Sequence, residues 1–337
     1  MGVFIRNIEY YLPEHIITNA DIQQEHPDWD IDKVGAKSGV NKRHKALPGQ
    51  TAFDLSCTAI EKLFENSSIS IKDIQGIIFC TQSPDYIMPS NAFLIHKRFD
   101  FNIGVWAFDY NLACSGYVYG LAICRGMIET GMADNILLIT ADTYSKYINF
   151  NDRSTSVLFG DGAAVSIISR SDNNGTGIID NILASSGKEY ESFYIPAGGC
   201  RNPKDEETAK EIEDLSGNRK TPENIYMNGF AVWKFISKTV PQQIEQLLVR
   251  NGLKISDIDL FVFHQASKLT LDSLVKSLKL DADKVFFNLE NVGNTVSASI
   301  PIALKDAETQ HKLKRGDTVL ISGFGVGLSW GSLIMKY

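Results

Sequence analysis

Apolar positions along the chain fall into short runs set off by polar turn residues, and the runs recur in a fixed order. Gly104–Tyr110 (GVWAFDY) reads as a buried strand, and the apolar-rich segment Tyr117–Ile128 as a helix closed by Gly131 just past its end. Between them lies NLACSGYVYG (Asn111–Gly120), which puts Cys114 at a strand-to-helix turn. Three run pairs repeat about 180 residues apart. DIQGIIFCTQS (Asp73–Ser83) matches DIDLFVFHQAS (Asp257–Ser267), AFDYNLACSG matches FFNLENVGNT, and NILLITAD (Asn135–Asp142) matches DTVLISGF (Asp317–Phe324). Each set reads strand, helix, strand, which predicts an α/β chain of two pseudo-repeated αβ halves with a central sheet in each. The polar run Ser169–Gly177 places the boundary, giving halves 1–172 and 173–337. Equivalent strand ends then converge. Cys114 and His264 lie on non-equivalent elements, as do Asn294 and Cys80, so a site assembled across the halves takes a different residue from each copy.

Other segments read more locally. Gly187–Pro222, charged at Pro203–Lys220, reads as an inserted surface lobe or lid. Asn228–Gly252 reads as a helix interrupted at Pro241, and Leu158–Ile168 as a hairpin turning at Asp161-Gly162, with no catalytic role for Asp161.

Composition narrows the class. The 337 residues are 44% hydrophobic and 22% charged, an ordinary globular balance with room for about two domains. The formal net charge of −7 argues against a general nucleic-acid binder. The N-terminus lacks the apolar core of a secretory signal, Arg6 stands where myristoylation wants Ser or Thr, and no apolar run approaches membrane-span length. Five scattered cysteines without a C-x-x-C pair fit a reducing cytoplasm, not a disulfide framework or zinc site.

Cys114 has two readings. Unpaired N–H groups and the dipole at a helix start favour thiolate, a nucleophile for carbonyl carbon, with a pKa drop of about one unit. A packed core cysteine is the other. His264 ends the apolar strand FVFH; a lone histidine there is often structural, but its repeat partner is Cys80, so packing does not require it. Asn294, after Gly293 in NVGNT, is by its local pattern an N-cap. The terminal GFGVGLSWGS lacks the Lys-Ser/Thr of a phosphate loop and reads as a tight turn bringing backbone N–H groups to the site.

Together these residues resemble the β-ketoacyl-acyl carrier protein synthase III group of thiolase-fold condensing enzymes. The resemblance rests on ACSG at Cys114, HQA at His264, NVGNT at Asn294, LFGDGA, SGVNKRH, MPS at Met88–Ser90 and the terminal GFGVGLSWGS, and spans nearly the whole chain. It implies a layered α-β-α-β-α fold with Cys114 as nucleophile and His264 and Asn294 holding a second thioester. The amides of Cys114 and Val326 form the oxyanion hole, Val326 replacing the family's usual Gly. It further implies a decarboxylating condensation of an acyl thioester with a malonyl thioester, CoA and acyl carrier protein as carriers, no metal or redox cofactor, and a homodimer. Met88 would gate the neighbouring subunit's pocket, and Lys37, Arg153, Lys268 and Phe324 would contact substrate or CoA.

Several positions depart from that pattern. Lys33 stands at the adenine-stacking position, Lys37 at a usual arginine, and Leu269, beside Lys268, at the arginine that contacts the carrier. The basic run Lys37–Lys45 reads equally as a phosphate receiver or a solvated loop. The Gly-rich turn has no second cysteine, against thiolase. Gln82 stands where hydroxymethylglutaryl-CoA synthase wants glutamate. The remaining rivals are an acyltransferase passing its acyl group from Cys114 to an alcohol or amine, and a non-catalytic scaffold.

Overall fold

The computed structural model describes residues 2–171, 173 and 175–337; Asp172 and Asn174, inside the expected boundary run, lie outside the described residues. Nine strands form two sheets. The first holds β1 (Gly2–Tyr11), β2 (Gly76–Cys80), β3 (Trp106–Tyr110), β4 (Asn135–Asp142) and β5 (Gly162–Ser171) in the order β1-β5-β4-β2-β3. The second holds β6 (Gly177–Ser185), β7 (Leu260–Phe263), β8 (Thr318–Gly325) and β9 (Ser329–Lys336) in the order β6-β9-β8-β7. The orders superpose: β1 corresponds to β6, β5 to β9, β4 to β8 and β2 to β7. At the place of β3 the second sheet keeps a single parallel bridge, Phe261 to Val285.

Five helices complete the layers: α1 (Ala52–Glu65), α2 (Gly116–Glu129), α3 (Gly229–Arg250), α4 (Lys268–Leu278) and α5 (Ser299–Thr309). Helix α1 packs on the outer face of the first sheet, α3 covers the second, and α2 and α5 lie between the sheets and touch both. The layering is therefore α-β-α-β-α. Sandwiched strands need apolar side chains on both faces, and β4 is buried from Ile136 to Asp142. Middle-layer helices need more than one apolar stripe; α5 accordingly buries six consecutive residues, Ser299–Leu304.

Three local expectations are corrected. Strand β3 is not buried: it is the edge of its sheet, half-exposed along its length. Helix α3 runs through Pro241 without a break, its start capped by Asn228, whose Oδ1 accepts from the Ala231 N–H at 3.0 Å. Asp161 is no hairpin tip, because nineteen intervening residues separate Asp142 from Gly162. Its buried carboxylate accepts from the Ala46 N–H (2.8 Å) and from Ser145 N–H (2.9 Å) and Oγ (2.5 Å), clamping two loops together. The segment Gly187–Pro222 carries one short strand pair of its own, Ile212–Glu213 with Arg219–Lys220, and its Phe193–Tyr194 pairs with Tyr226–Met227 beyond it; Phe193 is buried.

Candidate active site

Cys114 follows β3 and precedes α2, and only 3% of its surface is exposed. The turn is held from both sides. Ser115 Oγ lies 2.7 Å from Ser329 Oγ at the start of β9, and Cys80 Sγ donates to the Leu112 carbonyl at 3.0 Å. The end of β8 runs so close that a Cβ added at Gly325 would sit 2.9 Å from Cys114 Sγ. The backbone N–H groups of Cys114 itself and of Val326 act electrostatically on the sulfur.

Those N–H groups favour thiolate, yet burial outweighs them and the nearby Asp142 carboxylate adds to it, so the thiol pKa is pushed up. This corrects the lowered pKa expected from the sequence. The helical turn begins at Gly116, two residues on, and its dipole is worth at most ~2 kcal/mol. Desolvation is the larger effect, and the resting sulfur is a thiol.

His264 follows β7 and is likewise buried. Burial pushes its pKa down to about 3, so the imidazole is neutral. Nδ1 lies 2.6 Å from Ser299 Oγ at the start of α5, and the Phe324 ring stands edge-on to it at 5.7 Å. Asn294 Nδ2 is 3.4 Å from His264 Nε2 and donates to the Ala266 carbonyl at 3.3 Å, while Oδ1 accepts from the Val296 N–H at 2.9 Å. The last bond is an Asx turn and not the expected N-cap, because Thr295 holds the cap position of the helical turn Val296–Ala298, and it leaves the NH2 group facing His264. Val296 has φ +55°, a left-handed conformation that a β-branched residue holds only when its surroundings impose it.

Cys114, His264, Asn294 and Phe324 line one cavity of about 90 Å³, walled on the far side by Gly229, Trp233, Ser267 and Thr270. The indole N–H of Trp233 has no partner among the described residues. A nucleophilic sulfur under two N–H donors, facing a neutral imidazole and a carboxamide, is a set that can carry an acyl group and stabilise negative charge on a second carbonyl oxygen.

The chain is similar to known proteins over its whole length. Residues 108–187 match the family described as 3-oxoacyl-[acyl-carrier-protein] synthase III, and residues 248–337 match its C-terminal domain. The beta-ketoacyl-[acyl-carrier-protein] synthase III of Caldanaerobacter subterraneus subsp. tengcongensis is 38% identical across 97% of this chain and 95% of its own. The chain belongs to the 3-oxoacyl-[acyl-carrier-protein] synthase III family. A crystal structure of a synthase III matches it with TM-score 0.98 at 38% identity, covering both chains completely. The synthase III of Aquifex aeolicus VF5 matches with TM-score 0.86 at 30% identity over all of both chains. These neighbours share the thiolase-like fold, and the chain is an enzyme of the synthase III type.

Other residues singled out in the sequence lie elsewhere. Lys37, Arg153, Lys268 and Met88 do not line the cavity. Lys37 is exposed on the helix Ile31–Ser38, and Lys268 Nζ pairs with Asp272 at 2.6 Å. Met88 is 79% exposed beside Ile87. The basic run Lys37–Lys45 is neither uniformly solvated nor uniformly available. Arg43 is buried and donates to Asn19 Oδ1 (2.7 Å) and the Val157 carbonyl (2.8 Å), while His44 and Lys45 line a separate cavity of about 510 Å³.

Two residues went unnoticed in the sequence. Ser299 lies five positions after Asn294 at a helix start, and nothing local marks it as a histidine partner. Asp142 ends β4, where a buried acid has no sequence signature; its carboxylate accepts from Ser297 Oγ (2.5 Å) and the Gln82 N–H (2.8 Å), joining the two halves. Burial still holds its pKa up at about 7.

Proposed function

We propose that the chain joins an acyl thioester to a malonyl thioester by decarboxylating Claisen condensation, the acyl group passing through Cys114. The carrying observation is that Cys114, His264 and Asn294 line a single cavity. In the first half-reaction Cys114 Sγ attacks the acyl carbonyl, the oxyanion rests on the Cys114 and Val326 N–H groups, and the carrier leaves as a thiol with the proton Cys114 gives up. Losing one such donor typically costs about 3–4 kcal/mol of barrier.

In the second half-reaction the malonyl carboxylate leaves as CO₂, and its bonding electrons become an enolate whose oxygen faces His264 and Asn294. A neutral imidazole with its N–H at Nε2, Ser299 donating to Nδ1, and an amide N–H suit this task. Both donate without introducing a competing base beside the enolate. The carbanion attacks the acyl carbon, the tetrahedral intermediate expels Cys114 thiolate, and protonation restores the thiol. Decarboxylation supplies the carbanion, so the step calls for no metal or redox cofactor.

The carriers in this reading are CoA and acyl carrier protein, met by exposed Lys33 and Lys37 and by partly buried Arg153, and the two halves divide near residue 172. The enzyme acts as a homodimer. An unpaired edge strand seeks a partner, and β3 lies at the sheet edge with Ile87, Met88 and Phe93 exposed on the same half. Mass spectrometry of intact protein given acyl-CoA or acyl-carrier thioesters tests the reading. It expects a stoichiometric acyl adduct absent from Cys114→Ser; no adduct with any donor contradicts it.

A further inference from the structure

A second cavity of about 330 Å³ meets the Val326–Gly327 turn, and buried Phe193 lines both cavities. Cys114 lines only the first cavity, and Val326, whose N–H would face the acyl oxygen, lines only the second, so an acyl chain passing that turn enters the second. In the function proposed above, the cavity with His264 and Asn294 takes the second thioester. The acyl chain therefore belongs in the Val326–Gly327 cavity.

The wall of that cavity is not hydrocarbon-like. Tyr144 OH donates to Gln82 Oε1, and Gln82 Nε2 donates to Asn111 Oδ1 at 2.8 Å. The relay fixes both amides. Asn111 is exposed, and with Oδ1 engaged its Nδ2 has no protein partner among the described residues, so a chain entering the cavity takes water from it. Tyr147 also lines the cavity, and its hydroxyl has no protein partner among the described residues. The free groups are a donor and a hydroxyl, so their complement is an oxygen acceptor. No Lys, Arg or His lines the cavity, so nothing there balances a charged group.

We infer that this enzyme selects an acyl group bearing an uncharged oxygen function, a hydroxyl or keto group beyond the α-carbon, over the plain alkyl chain of equal length. The inference rests on the reading of Cys114 as acyl acceptor. A site built around hydrogen bonds to a substrate oxygen disfavours the analogue lacking it, because its own polar groups are then left unpaired. The transfer itself is that of the first half-reaction: the Sγ–C bond forms as the carrier's C–S bond breaks, and the carrier thiol takes the Cys114 proton.

The test follows adduct formation on the full chain by intact-protein mass spectrometry, with butyryl, 3-hydroxybutyryl and 4-hydroxybutyryl thioesters of CoA and of acyl carrier protein. The expected result is that a hydroxylated donor acylates Cys114 about tenfold faster than butyryl. Asn111→Leu and Tyr147→Phe, each checked by thermal melting, should draw that ratio towards one. Butyryl reacting as fast as both hydroxylated donors overturns the inference and leaves the condensing reading standing. A preference that survives both substitutions overturns the assignment to this cavity. Acylation by no donor overturns both readings together.

Discussion

His264 and Asp142 are buried ionisable groups whose shifts act on stability in opposite senses. Below about pH 6.5 the unfolded chain protonates His264 while the native imidazole stays neutral down to about 3, so acid favours unfolding. Above about pH 3.8 the unfolded chain ionises Asp142 while the native carboxyl keeps its proton up to about 7, so base favours unfolding. Over pH 4.5–6.5 the two trends offset. The melting temperature of the native protein should therefore change little there. That of His264→Gln should fall as pH rises through the window, by an amount equivalent to ~2 kcal/mol at 1.36 kcal/mol per pH unit. Parallel melting curves for the two proteins would show that burial does not hold His264 neutral. Cys114 illustrates what sequence leaves out at this scale. Its place at a strand-to-helix turn was readable from NLACSG, but its protonation state depends on the protein packed around it.

At the scale of elements, the site exists because strand and helix ends are brought together. The end of β8 leaves no room for a side chain beside the sulfur, so Gly325→Ala forces a shift in the Cys114 turn. Overpacking of this kind typically costs about 1–3 kcal/mol. The expected outcome is a modest drop in melting temperature with acylation slowed by at least a hundredfold, read by adduct formation. The start of α5 acts on the other half-reaction. Ser299→Ala leaves His264 Nδ1 without its partner, and a buried group so orphaned costs about 1–3 kcal/mol. Malonyl decarboxylation should slow roughly tenfold, while Cys114 acylation keeps its rate; equal slowing of both steps would mean that Ser299 merely supports the fold. The elements themselves were largely legible. The Tyr117–Ile128 pattern found α2 to within a residue at each end, and two of the three repeated runs marked β2 with β7 and β4 with β8, while the third set β3 against a segment that forms no strand. Misreadings came where tertiary context decides: β3 has a buried strand's composition but an edge position, and Pro241 is accommodated within a helix packed on a sheet.

In the whole molecule, one αβ unit is written twice and the copies have diverged at their strand ends. Where the first copy has Cys80 and Cys114, the second has His264 and Asn294. This doubling was visible in the sequence because repeated strands keep their apolar patterns. The carrier-binding surface was not, because exposed lysines such as Lys37 and Lys268 have no pattern that separates a ligand site from a solvated face. The proposed homodimer makes a plain expectation: light scattering should give twice the chain mass, and Ile87→Asp should lower it towards one chain. A monomeric native protein would remove Met88 from any neighbour's pocket.

The most direct test of the condensation joins both halves in one turnover. Protein acylated at Cys114 is mixed with malonyl-carrier thioester labelled in the free carboxylate, and released CO₂ is counted against loss of the adduct. The expected result is one labelled CO₂ per acyl group lost, with a β-ketoacyl thioester as product. Loss of the adduct to an alcohol or amine without CO₂ release would contradict it.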